Sequence, residues 1–181
     1  QHCKQGRENY CPGYGILGET ENGTQAEFIV IDPVNIHLKA DHLTFEEAAS
    51  MPLVFMTAYQ MLIKRANLKA DETVLIYGGT SGVGSAAIQI SRELGAQVIA
   101  TAGNDEKCEF SKKIGADHVV NHSQDNWMDD VKIITDKRGV DVVFEHIGAS
   151  TWKQSLGVLS KGGRIITCGA TTGADVNVNL A

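Results

Sequence analysis

Thr73-Val74-Leu75-Ile76-Tyr77-Gly78-Gly79-Thr80-Ser81-Gly82-Val83-Gly84 is the stretch from which the fold can be read. Its first five residues are apolar without alternation and rich in β-branched side chains, as in a strand buried on both faces. The glycine-rich turn follows at once. Beyond it, Val83, Ala87, Ile90 and Leu94 recur at i, i+4, i+7 and i+11, the stripe of an amphipathic helix, and Gly95 stands where a C-terminal cap glycine belongs. Strand, turn and helix make the first half of a βαβ unit.

Reading outward toward the C-terminus, the pattern repeats. A second strand, Gln97 to Thr101, leads into a helix from about Asn104 to Ile114 that ends at Gly115. A third strand, His118 to Asn121, precedes a helix with Trp127, Val131 and Ile134 on one face. A fourth, Val140 to Phe144, precedes a helix with Trp152, Leu156 and Leu159 on one face, and Gly162-Gly163 turns into a fifth, Arg164 to Cys168. Five strands joined by four helices predict an α/β fold, a Rossmann-type doubly wound parallel sheet in the order 3-2-1-4-5. Toward the N-terminus the texture changes. Ala26 to Ile31 and Asn35 to Leu38 read as strands of another sheet, separated by an Asp32-Pro33 turn. Thr44 and Glu47 form a capping box, and a longer helix runs from Pro52 to about Arg65. The division expected is 1–45 for one domain and 46–181 for the α/β domain.

The composition agrees with a folded α/β chain. Of 181 residues, 43% are hydrophobic, and the 19 glycines against 3 prolines suit tight turns rather than linkers. The formal net charge of −6 leaves no basic excess for a phosphate backbone, so no nucleic-acid partner is expected. No apolar run approaches the roughly 18 residues of a membrane span, and the polar N-terminus has no signal-peptide core. A cytoplasmic protein is expected. The chain does not begin with Met and stops just after a strand-to-loop transition, as a fragment of a longer enzyme would.

The glycine turn is the strongest chemical signal. A pyrophosphate needs backbone N–H donors without side chains in the way, and a helix N-terminus supplies donors and partial positive charge together. Gly79, Gly82 and Gly84, with Thr80, Ser81 and Val83, are the candidate diphosphate site. The spacing Gly79-x-x-Gly82-x-Gly84 departs from the common G-x-G-x-x-G because Ser81 takes the middle position. At the end of the second strand, Thr101, Ala102, Gly103 and Asn104 offer no carboxylate to a ribose 2′-hydroxyl. Lys107, one turn on, stands ready to pair with a 2′-phosphate, so NADP is favoured, although Asp105 and Glu106 bring negative charge close and NAD also fits. His122, ending the third strand, borders the adenine side. By the switch-point rule the nicotinamide lies at the ends of strands four and five, where Gly148, Gly169 and Ala170 line the ring. His146 reads as a hydrogen-bonded scaffold residue rather than a proton donor.

In their order and spacing, Gly23 to Phe28, Pro52 to Ala58, the Gly79 to Gly84 loop and Gly162-Gly163-Arg164 resemble the medium-chain dehydrogenase/reductases of the zinc-type alcohol dehydrogenase and quinone oxidoreductase superfamily. The resemblance covers essentially the whole chain. It implies an NAD(P)-dependent enzyme that transfers hydride between nicotinamide C4 and a carbonyl, alcohol or quinone-like substrate. It further implies that residues 1–45 are the remnant of a GroES-like catalytic domain and that the α/β domain ends before its last strand. Thr57 would lie against the nicotinamide. Cys3 and Cys11 have the separation of the last two of four structural-zinc cysteines; the other two would fall upstream of Gln1, so little or no zinc is expected in this chain. A ligand to a catalytic zinc would stand at Leu53, which cannot ligate, and this favours a zinc-free mechanism. No catalytic residue is identifiable, since the resemblance puts those groups in the missing N-terminal half. Cys108 and Cys168 are expected to be reduced and buried. An edge strand left open predicts a homodimer, and a coenzyme-binding fragment without turnover is the alternative function.

Overall fold

The computed structural model describes residues 2, 5 and 7–178. The chain divides into two compact units, Gln1–Leu43 and Thr44–Ala181. The second begins with the expected capping box: the Thr44 hydroxyl accepts from Glu47 N at 3.1 Å, and the Glu47 carboxylate accepts from Thr44 N at 2.9 Å. That box starts α1 (Phe45–Ser50), and Pro52 opens α2 (Pro52–Tyr59). The helix then continues to Arg65 as a π-helical turn, Gln60–Arg65, with Ala66 N bonded five residues back to Met61 O.

Five parallel strands follow: β1 (Thr73–Ile76), β2 (Gln97–Ala102), β3 (His118–Asn121), β4 (Val140–Glu145) and β5 (Leu159–Thr167). They are ordered β3-β2-β1-β4-β5, with α3 (Gly82–Leu94), α4 (Asp105–Lys113), α5 (Trp127–Ile134) and α6 (Ala149–Val158) between them. The order reverses on the two sides of β1, so the ends of β1, β2 and β4 leave a crevice at a topological switch point.

Alternation along the strands builds two cores. Val74, Ile76, Val98, Ala100, Val142 and Phe144 pack with α2, α3 and the end of α4. Leu75, Ile99, Val140 and Val143 point the other way and pack with Trp127 and Val131 of α5 and Val158 of α6. Because both faces are covered, every β1 residue is buried.

Three expectations need correction, and a fourth needs widening. Ala26–Ile31 and Asn35–Leu38 are not strands; the segment holds only a 3-10 turn, Pro33–Asn35, capped by Asp32. A β-branched run becomes a strand only beside another ladder, and none is offered among the described residues of its unit: Val30 and Leu38 are fully exposed and Phe28 is 89% exposed. The inward face of α3 is wider than the expected stripe: Val83, Ala87, Ile90 and Leu94 all pack on the core, and Gly84, Ala86, Ile88 and Ser91 are buried beside them, because this helix packs against α2 as well as the sheet. In α6 the buried residues are Ser155 and Val158, while Leu156 is exposed. Strand five begins at Leu159, not Arg164. Val140 pairs with Leu159 and Val142 with Arg164, so β5 bulges out by the residues between them, and Gly162 takes φ +79° there.

Arg164 then locks β5 to the segment before β1. Its guanidinium grips both Glu72 oxygens at 2.8 and 2.6 Å and donates to Ala66 O and Asn67 O. That bidentate contact holds the Glu72 carboxyl below its ordinary range. Among the described residues, no helix is long and apolar enough to cross a membrane.

Candidate functional site

The glycine turn is fixed from behind by β2. Thr101 Oγ1 accepts from Gly78 N at 3.1 Å and Thr101 O from Gly79 N at 2.9 Å, while Ser81 N closes onto Gly78 O. Gly78 takes φ +56°, a conformation that side chains resist. Ser81, which breaks the common glycine spacing, is the N-cap of α3: its hydroxyl accepts from Gly84 N at 3.0 Å. The backbone N–H groups of Thr80, Gly82 and Val83 find no acceptor among the described residues. Three donors therefore crowd the positive end of a 13-residue helix, the arrangement that receives a phosphate.

The glycines themselves do a different job from the one the motif suggests. A Cβ at Gly84 would collide with the backbone carbonyl of Gly78, and one at Gly79 would stand 2.7 Å from Ser111 Oγ. One at Gly82 would stand 2.8 Å from Val54 Cγ1 of α2. Each glycine is required by protein packed on protein, which brings the helix end close enough for its N–H groups to converge. Thr57 lies on the partly buried side of α2, one turn beyond Val54, and its hydroxyl has no acceptor among the described residues.

At the tip of β2, the side chains of Thr101 and Ala102 are buried and turn inward, so only their backbone can face a ligand. Gly103 is open. A Cβ there would lie 3.3 Å from His122 Nε2, and Ser123 Oγ donates to Gly103 O at 2.9 Å. Asn104 caps α4 through Lys107 N, leaving the Lys107 side chain exposed. Crowding by neighbouring atoms, then the Lys107 charge, holds the His122 ring below its ordinary pKa. Gly103, Lys107 and His122 thus gather at one edge.

At the ends of β4 and β5, the segments 146–148 and 168–173 form a double wall. Thr172 N donates to Ile147 O at 2.8 Å, Ala149 N to Gly173 O at 2.9 Å, and Cys168 N to Glu145 O at 3.3 Å. Gly148 takes φ +96°, and a Cβ on it would stand 2.5 Å from Gly173 O and 2.9 Å from the Ala170 Cα. Gly148 and Ala170 are therefore in contact, and Gly169 packs on the backbone of His146 beside them. His146 Nε2 lies 2.9 Å from Tyr77 O, and its ring meets Phe144 edge-on, a scaffold position.

Glu145 was missed. It is fully buried and accepts from Ile147 N at 2.5 Å and Gly148 N at 3.1 Å on Oε1, and from Thr151 Oγ1 and Ser155 Oγ, both at 2.8 Å, on Oε2. The available signal was an acid directly after the apolar Val142-Val143-Phe144, followed by Thr151 and Ser155 one helical turn apart.

Cys3 lies outside the described residues. Cys11 is free and half-buried, Cys108 is half-buried, and Cys168 is exposed rather than buried because it follows the strand's last paired residue. Among the described residues, no three His, Cys, Asp or Glu side chains converge as metal ligands, and Leu53 is 73% exposed. A tetrahedral zinc needs four donors, so the described side chains do not fit one.

A family model described as zinc-binding dehydrogenase matches residues 82–181. Quinone oxidoreductase of Homo sapiens is 33% identical over 90% of this chain and 49% of its own length. Crotonyl-CoA carboxylase/reductase of Cereibacter sphaeroides is 33% identical over 96% and 46%. Among solved structures, an NAD-dependent alcohol dehydrogenase superposes with a TM-score of 0.93 at 41% identity, over 96% of this chain and 51% of that one. A mycobacterial protein complexed with NADPH superposes with a TM-score of 0.72 at 35% identity, over 78% and 44%. The chain spans about half the length of the curated relatives it matches.

Proposed function

The chain belongs to the zinc-binding dehydrogenase family, and we propose that it is the coenzyme-holding part of an NAD(P)-dependent oxidoreductase moving hydride between nicotinamide C4 and a carbonyl, alcohol or enone. The observation that carries this reading is the trio of unclaimed N–H donors on Thr80, Gly82 and Val83, at the switch point of the sheet. Residues 1–45 are then the remnant of a GroES-like catalytic domain and 46–181 the coenzyme domain.

Bound there, the nicotinamide supplies the hydride chemistry. The chain's own groups position it. The helix-end donors take the diphosphate, Gly148, Gly169 and Ala170 offer a flat backbone wall, and Thr57, half-buried one turn beyond the Val54 that packs on Gly82, is assigned to the nicotinamide side. Lys107 and His122 beside Gly103, with no carboxylate at the tip of β2, support a preference for NADPH over NADH. Leu53 has no lone pair for a metal, which supports a zinc-free route for this chain. The open edges of the sheet support a homodimer, and the free Cys11, Cys108 and Cys168 suit a reducing cytosol. A second reading is coenzyme binding without turnover.

Calorimetric titration with NADPH and NADH, run beside reductase assays on simple aldehydes and quinones, tests both. NADPH is expected to bind more tightly, and Lys107→Ala to erase the difference. Binding without turnover selects the second reading; no heat with either coenzyme would end both.

A further inference from the structure

Glu145 is the one charged side chain among the described residues with no exposed surface. A carboxylate in such a place must be answered by donors or neutralised. Four donors answer it. Ile147 N and Gly148 N converge on Oε1, a pair of consecutive amides of the kind that cradles an anion. Thr151 and Ser155, one turn apart on α6, bind Oε2. The Ser155 hydroxyl also lies 3.2 Å from the Tyr77 phenol. With its single hydrogen given to the carboxylate, Ser155 Oγ is left to accept the Tyr77 O–H. Burial, offset only partly by Ser155, raises the Tyr77 pKa, so the phenol keeps that hydrogen.

The network links the glycine turn to the wall. Tyr77 precedes the glycine turn and accepts His146 Nε2 on its carbonyl. Ile147 and Gly148 carry the wall; Ile147 O accepts from Thr172 N, and Ala149 N, the next residue, donates to Gly173 O, so this stretch holds the segment after β5. We propose that Glu145 is a positioning residue for the coenzyme, a buried anion that keeps the backbone wall at 147–148 in a fixed frame relative to the glycine turn. This rests on the preceding assignment of that wall to the nicotinamide ring. An aliphatic residue of the same size would leave two backbone N–H groups without an acceptor, while the Thr151 and Ser155 hydroxyls would turn to Gly148 O and Thr151 O, and the wall would lose its reference point.

The test compares two kinds of probe on the 181-residue chain: NADPH and NADH, and the same nucleotides lacking the nicotinamide ring, 2′-phospho-ADP-ribose and ADP-ribose. Glu145→Ala is expected to weaken the intact dinucleotides about tenfold while leaving the ring-less probes within about twofold. Glu145→Gln, which keeps an acceptor for the two amides, restores most of the loss. Thr151→Val, a half-buried site, shifts the dinucleotides in the same direction by about threefold and carries the test if Glu145→Ala does not fold. Equal losses for both kinds of probe, or no loss for either, would overturn the proposal and leave ring-less binding by the unaltered chain intact. Failure of the unaltered chain to bind the ring-less probes would instead bring down the reading of the glycine turn, and this proposal with it.

Discussion

Phe28 and Phe144 are the same side chain in two regions with opposite fates. Phe28 sits in an apolar β-branched run and is 89% exposed; Phe144 sits in another and is fully buried. The run around Phe144 has β1 on one side, β5 on the other and helices on both faces. The run around Phe28 has no ladder among the described residues of its unit. What separates them is the neighbour rather than the composition, since a strand is a property of a pair.

The largest effect expected from that contrast is direct. Phe144→Ala should cost about 3–5 kcal/mol by leaving a cavity among strands, while Phe28→Ala should stay within about 0.5 kcal/mol. Urea unfolding of both variants measures it, and equal losses would mean the first unit hides a core.

Next in size is Gly84→Ala. Its methyl would meet the Gly78 carbonyl, a backbone atom unable to swing aside, so a loss of about 1–3 kcal/mol is expected together with loss of coenzyme binding. Gly13→Ala, where the nearest atom is Cys11 Sγ at 4.0 Å, is the matched control in the other unit and should be silent. Thermal unfolding and coenzyme titration of the two variants decide it.

Arg164→Ala should cost about 1–2 kcal/mol, a figure discounted because the guanidinium partly meets water. It removes the clasp between β5 and the residues before β1, and hydrogen exchange should quicken first in those two segments.

The smallest effect is in pH. Glu72 is held low first by its bond to Arg164, and Asp141 first by its bond to Arg138. A depressed carboxyl adds stability that is complete above its unfolded pKa, here 4.5 and 3.8, and vanishes as pH falls through the lower folded value. Melting temperature should therefore drop below about pH 4, and Arg164→Ala should flatten part of that drop.

Much of the α/β unit was legible because its periodicities are enforced by burial. Parallel strands covered on both faces must be apolar throughout, and Gly95 and Asn104 must stand at helix ends. The π-helical turn carried no such mark, because Gln60–Arg65 reads as ordinary helix until Ala66 N reaches past its normal partner. The α6 face was misread because its inward positions hold Ser155, chosen for a hydroxyl partner rather than for apolarity. In the site, the glycine turn and Lys107 were visible as types at positions. Glu145 was not, since an acid at a strand end ordinarily faces water, and only the sheet order reveals that its strand runs between β1 and β5 with α6 closing over its end.

The collisions awaiting a Cβ at Gly79, Gly82 and Gly84 carry one last implication. Those residues are demanded by the scaffold whether or not any nucleotide arrives, so a pseudoenzyme descended from this lineage would preserve them after its catalysis had lapsed. Surveys that score such glycines therefore count an inherited architecture, and evidence of use has to come from the unclaimed amides.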